Sequence, residues 1–354
     1  MNTKHNGIIS FWKFTFSMLI LALHLGKKHM DVQYNFEAGS IAVDFFFIVS
    51  GYLFCKKCIN QDKIKNIGKS TKNFFLKKVF RFLPYIIFLW IISLPFTILV
   101  CKYRIVDYIG AFYNLLYLPI KDFPLYEIYG TTWYIVVMIA IESILYPILT
   151  KYKKSFIYVI SPIIVFFGTG YILIKFGSFA IPWTSNILAY GGFIRGLVTI
   201  NIGMILYLII ESFKKINLTD LSKFLVTIFE IVGYVSIFYI CNLFMAHVRY
   251  DCLMIIILSL CICISFSEKS LFNTFSNNKL FYYLEKLSLP IYINQWLLIY
   301  ILEYIIKKYS ISISYYKELL ILIIFSVVVA IITEFFVKLY EKNKKNIKDI
   351  FVME

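Results

Sequence analysis

The sequence predicts an all-α polytopic membrane protein of about ten transmembrane helices, with N- and C-termini both cytoplasmic. Three observations carry that prediction. Hydrophobic residues make up 60% of the 354 and charged residues only 16%, and mean hydropathy is +0.77, a balance foreign to soluble domains. The apolar stretches run near twenty residues, long enough for a helix to cross a hydrocarbon core about 30 Å thick. In that core every backbone polar group needs an internal partner, which helices of this length supply.

Taken in order, adequate spans lie near 9–26, 39–57, 82–101, 131–150, 155–175, 187–211, 223–245, 250–267, 286–306 and 318–340. The first, from Phe11 to Leu25, lacks a small-residue cleavage site and runs into a basic turn, so it reads as a helix rather than a leader. Orientation follows from the cations. With the N-terminus inside, cytoplasmic segments hold about 25 of the 36 Lys and Arg and outside loops about 10, with Arg195 intramembrane. The formal charge of +16 is therefore topological, spread between spans rather than gathered on a nucleic-acid-binding face. With no repeat and no soluble stretch long enough for another domain, residues 1–354 read as a single membrane domain. The longest outside loop, 102–130, ends near Tyr126, Tyr129 and Trp133; it reads either as a cover over a site or as part of an interfacial aromatic belt. The seven cysteines fall mostly inside apolar segments and suggest no disulfide framework. Cys55 and Cys58 form a C-x-x-C with no second Cys or His pair to complete a zinc site.

Ionisable groups at membrane depth are the functional candidates, because each costs about 3 kcal/mol or more there. Lys13 and His24 are eleven positions apart in the first helix, which returns them to nearly one face with about 16 Å between them. Asp44, early in the inward-running second helix, is expected at the depth of His24, where a carboxylate would orient an imidazole; the bland alternative is a helix cap or a loop partner. Lys78 and Arg81 share a face at the inner end of the third helix, suited to anionic phosphates or to lipid headgroups. Glu142 and Arg195 lie at similar depth in two inward-running helices, so a mutual ion pair is open to them, as a structural contact at least as much as a catalytic one. Asn294, Gln295 and Trp296 interrupt the ninth apolar run, where polar groups often join helices. Glu334 has no evident partner.

The run Ala42-Val43-Asp44-Phe45-Phe46-Phe47-Ile48-Val49-Ser50-Gly51-Tyr52-Leu53 resembles the second-helix signature of the acyltransferase 3 family, integral membrane O-acyltransferases. Lys13-x10-His24 is similar to that family's Arg-x10-His. Lys78-Val79-Phe80-Arg81-Phe82-Leu83-Pro84 is similar to its Arg-x-x-Arg before a proline. Thr132-Trp133-Tyr134, Arg195-Gly196 with Gly203, and Ser288 with Tyr292 also fit. Lysine at 13 and 78 keeps the charge and loses the bidentate fork, and Gln295 stands where many members have histidine.

The resemblance implies transfer of an acyl group, usually acetyl, from cytoplasmic acyl-CoA to a hydroxyl of a cell-surface glycan or its lipid-linked precursor. Acyl-CoA (acetyl-CoA) is then the donor substrate rather than a resident cofactor, no metal is expected, and no fused esterase-like domain is expected after the tenth helix. His24 becomes the catalytic base or an acyl-accepting nucleophile, with Asp44 orienting it. Lys13, Lys78 and Arg81 become donor ligands, and Trp133, Glu142, Arg195 and Gln295 acceptor ligands. Partners besides donor and acceptor are membrane lipids, and nucleic acid is excluded. The abundance of Ile, Lys, Asn and Tyr suggests a bacterial plasma membrane. Two rival readings remain, a transporter or flippase whose polar groups line a path, and a catalytically degenerate sensory or assembly member of the same fold.

Overall fold

The protein is described by a computed structural model, in residues 6–29, 36–62, 64–102, 104–106, 128, 130–179, 191–243, 248–276 and 278–351. Among these residues every regular element is helical: α1 Gly7–Gly26, a 3₁₀ turn Glu37–Ser40, α2 Ile41–Ile59, α3 Ile67–Pro95, a 3₁₀ turn Gly130–Thr132, α4 Trp133–Ser155, α5 Ser161–Phe176, α6 Gly191–Phe213, α7 Asp220–Leu243, α8 Val248–Ser267, α9 Phe272–Ser276, α10 Lys279–Lys308 and α11 Tyr315–Phe351. Nine described stretches are long and apolar enough to cross a membrane. One of them, Gly130–Phe176, has 47 residues and would measure about 70 Å if straight. It breaks at Lys153, whose φ of 42° and ψ of −118° are not helical, so it supplies two crossings, α4 and α5. The chain is a multi-pass membrane protein.

The largest departure from the sequence reading is α3. Its helix starts at Ile67, not near residue 82, because the Asn66 side chain accepts the Lys69 N–H at 2.9 Å and caps the first turn. The basic residues of this extension depress local hydropathy and hide it from a search for spans. Lys78 and Arg81 therefore sit inside a continuous helix of 29 residues, about 43 Å long, rather than at its inner end. Helix α10 likewise begins at Lys279, several residues before the expected 286. Most of the 102–130 loop, including Tyr126 and Tyr129, and the expected helical residues 187–190 and 244–245 lie outside the described residues.

The chain divides into two compact units, Met1–Phe75 with Val137–Glu285, and Leu76–Val136 with Lys286–Glu354. In the first unit α2 and α6 meet backbone to backbone. A Cβ on Gly51 would strike the Ile200 carbonyl oxygen, and a Cβ on Gly203 would strike that of Ile48. In lipid there is little hydrophobic drive between helices, so small residues that let backbones touch supply the packing. Aromatic contacts extend this core: Trp12 stacks on Tyr234 at 4.0 Å, Phe16 on Phe45 at 4.4 Å and Tyr52 on Phe266 at 4.0 Å. Cys55 and Cys58 are buried and unbonded in α2.

In the second unit, Tyr85 of α3 donates to Glu334 of α11 at 2.8 Å, and Asn294 of α10 donates to Thr333 of α11 at 3.0 Å. Glu334 thus has the partner that its sequence position did not reveal. Phe88 packs on Phe336 with centroids 5.1 Å apart.

The glycine contact is testable. Gly51→Val or Gly203→Val is expected to force α2 from α6 and to lower stability by ~1–3 kcal/mol, measured as an earlier thermal unfolding transition in detergent; Gly170→Ala, with open space around its Cβ, is expected to leave it within ~0.5 kcal/mol.

Candidate active site

Helix α1 presents the first two candidates. Asn6 caps it, accepting from the Ile9 N–H at 3.0 Å, while its amide donates to the Ser265 carbonyl at 2.8 Å and ties the helix start to α8. Lys13, 19% exposed, forms an ion pair with Glu285 at 2.5 Å, and Ser10 donates to the other carboxylate oxygen at 2.8 Å. His24 stands half-buried in the last turn of the helix.

The turn that precedes α2 is shaped by Phe36, left-handed with φ 55°. A Cβ on Gly39 would lie 3.3 Å from Leu23 and 3.4 Å from Leu19, so this turn packs on α1 one residue before His24. The other side of the same turn is held by Arg195. Its Nε donates to Asp44 Oδ1 at 2.8 Å, and its Nη2 donates to Asp44 Oδ2 at 2.6 Å and to the Ser40 carbonyl at 2.7 Å. The two side chains are 0% and 2% exposed.

That geometry corrects two expectations. Arg195 pairs with Asp44 rather than with Glu142, because the backbone contact of α2 with α6 brings their outer ends together. Asp44 gives both oxygens to Arg195 and makes no hydrogen bond to His24, so it does not orient the imidazole directly. Its effect on His24 passes through Ser40, Gly39 and Leu23. Arg195, expected to hold acceptor, is committed to this fork. Glu142, fully buried in α4, accepts from Ser50 of α2 at 2.5 Å.

In the second unit, Trp133 opens α4 directly after the 3₁₀ turn. Thr131 of that turn donates to the Ile293 carbonyl at 3.3 Å, a Cβ on Gly130 would lie 3.8 Å from Trp296 Nε1, and Tyr134 meets Tyr292 edge-on at 5.7 Å. Trp133 and Gln295 are thereby brought to one region. Gln295, fully buried, donates its amide to the Tyr292 carbonyl at 2.8 Å, while its Oε1 has no partner among the described residues. Lys78 is half-buried and Arg81 exposed on α3.

Sequence reasoning missed Glu285, the partner of Lys13, and a buried cluster in which Ser265 of α8 bonds both Glu230 and Tyr234 of α7. Glu230 sits at membrane depth in an unbroken apolar run, the same signal that singled out Glu142, and could have been found by it.

The buried pair yields a stability prediction. Arg195→Ala strands the Asp44 carboxylate and is expected to cost ~3–5 kcal/mol, while Lys13→Ala, at a partly exposed pair, is expected to cost under ~1 kcal/mol; unfolding in mixed micelles compares the two.

The family model described as an acyltransferase domain matches residues 6–335, nearly the whole chain and every candidate site residue named above. Comparison with curated proteins and with solved structures gives no match.

Proposed function

The chain belongs to the acyltransferase 3 family, and from that premise we propose that this membrane acyltransferase moves an acetyl group from cytoplasmic acyl-CoA to a hydroxyl of a cell-surface glycan or its lipid-linked precursor. The observation that carries the proposal is the placement of His24, the one imidazole of a membrane-embedded helix among the described residues, beside a turn clamped by a buried ion pair. In the reaction, the acceptor hydroxyl gives its proton to His24 as its oxygen attacks the thioester carbonyl. The C–S bond then breaks, and coenzyme A leaves as thiolate to be protonated in turn.

Lys78 and Arg81 bind donor phosphates in this reading by charge-assisted hydrogen bonds. Lys13 is a further donor ligand in this reading, exchanging Glu285 for phosphate, and the ~16 Å of helix between Lys13 and His24 is a length that a pantetheine arm spans. Trp133 supplies a face on which a sugar ring stacks, and the unpartnered Gln295 carbonyl oxygen is suited to accept from a sugar hydroxyl. Glu142, buried on α4 and accepting from Ser50, serves in this reading as a further acceptor contact. Arg195 and Asp44 act as positioning residues. The setting is a bacterial plasma membrane, with the donor side cytoplasmic.

The test is transfer of labelled acetyl from acetyl-CoA to a lipid-linked glycan extract by protein in lipid nanodiscs. His24→Ala is expected to lower transfer at least ~100-fold, the scale of a lost general base. Unchanged O-acetylation of surface glycan in cells carrying His24→Asn would refute the role of His24.

A further inference from the structure

The second unit holds more cations than the α3 pair, and two hydrogen bonds set their level. Tyr85–Glu334 registers α3 against α11, and Asn294–Thr333 registers α10 against α11. Helices α10 and α11 form a hairpin, joined across residues 309–314, so they run antiparallel. Phe96, directly after the end of α3, meets Tyr304 of α10 at 6.4 Å, which sets α3 parallel to α10.

Counting from that registered layer toward the basic ends of the helices places four side chains together. Arg81 is four residues before Tyr85 and Lys78 seven; Lys338 is four after Glu334; Lys286 is eight before Asn294. At 1.5 Å per residue all four lie about 6 to 12 Å from the layer. Lys78, Arg81 and Tyr85 fall on one stripe of α3, as do Glu334, Lys338 and Glu341 on α11. Glu334 is within electrostatic reach of Lys286, Lys338 and Glu341, and Tyr85 of Arg81 and Glu341. Arg81 and Lys338 are exposed, and Lys78 and Lys286 half-buried. Four cations on three helices thus face two carboxylates, one of them, Glu334, already engaged by a tyrosine hydroxyl.

We propose that Lys286 and Lys338 complete, with Lys78 and Arg81, a three-helix cradle for a ligand bearing several phosphates. It rests on the reading that Lys78 and Arg81 hold acyl-CoA, and it assigns the remaining phosphate contacts to α10 and α11. A single pair of cations on one helix balances one phosphate group. Coenzyme A carries a diphosphate and a separate 3′-phosphate, and cations on three helix faces match that divided charge. Glu334, bonded to Tyr85, keeps its side of the cradle at a fixed height and offsets the repulsion between the lysines when the ligand is gone.

The experiment measures acetyl-CoA and 3′-dephospho-acetyl-CoA binding to full-length protein in phosphatidylcholine nanodiscs, repeated with one-third phosphatidylglycerol. Expected for Lys286→Ala/Lys338→Ala is a Kd for acetyl-CoA raised tenfold or more with the unfolding transition unchanged, a smaller rise for the dephospho analogue, and recovery in Lys286→Arg/Lys338→Arg. If the double alanine variant moves Kd less than twofold while Arg81→Ala moves it tenfold, the cradle is confined to α3 and the proposal falls while the donor reading stands. If Arg81→Ala is also silent, the donor reading falls and takes the proposal with it. Loss of phosphatidylglycerol enrichment in the double variant with acetyl-CoA binding intact would identify a lipid headgroup site and overturn the proposal.

Discussion

The Asp44–Arg195 ion pair is the interaction on which the site depends. Two charges withdrawn from water carry a desolvation penalty of several kcal/mol each, offset only when geometry and further hydrogen bonds are good. Here the fork is bidentate and Nη2 also reaches the Ser40 carbonyl. That third bond gives the pair a consequence beyond holding α2 to α6. It anchors a 3₁₀ turn whose other side rests on Leu19 and Leu23, so the height of the turn against α1, and with it the surroundings of His24, follows from where Arg195 stands. Arg195 in turn stands where the Gly51 and Gly203 backbone contacts put α6.

The second unit uses the same device with neutral groups. Tyr85–Glu334 and Asn294–Thr333 fix the levels of three helices, and the cations of those helices inherit their positions. Polar contacts at membrane depth therefore act in both units as registers: they specify which helical turns face each other where apolar packing alone leaves sliding inexpensive.

Much of this was legible in one sequence. The helices α1, α2, α4 to α8, α10 and α11 follow from apolar length, and His24, Asp44, Glu142 and Arg195 stand out as polar groups in apolar runs. The start of α3 was hidden because its first turns are basic and only Asn66 marks the cap. Pairings were hidden for a different reason. Depth along each helix gives the axial coordinate of a charge but not the neighbour across the bundle, so depth alone matched Arg195 to Glu142, and only the rotation of α2 and α6 about the glycine contact gives it Asp44 instead. Glu285 was hidden because it lies at the basic end of α10, where it reads as one more exposed charge.

In the proposed reading the ion pair is retained to position His24 rather than to stabilise the protein. Replacing it by an apolar pair of similar volume, Asp44→Leu with Arg195→Met, removes both charges together, a change often neutral or stabilising in buried sites. The measurement is acetyl-CoA turnover by this variant in nanodiscs beside its thermal unfolding. The account predicts an unfolding temperature at or above that of the parent with turnover reduced about 100-fold, the scale expected when a base loses its position. Retained folding with undiminished turnover would contradict it.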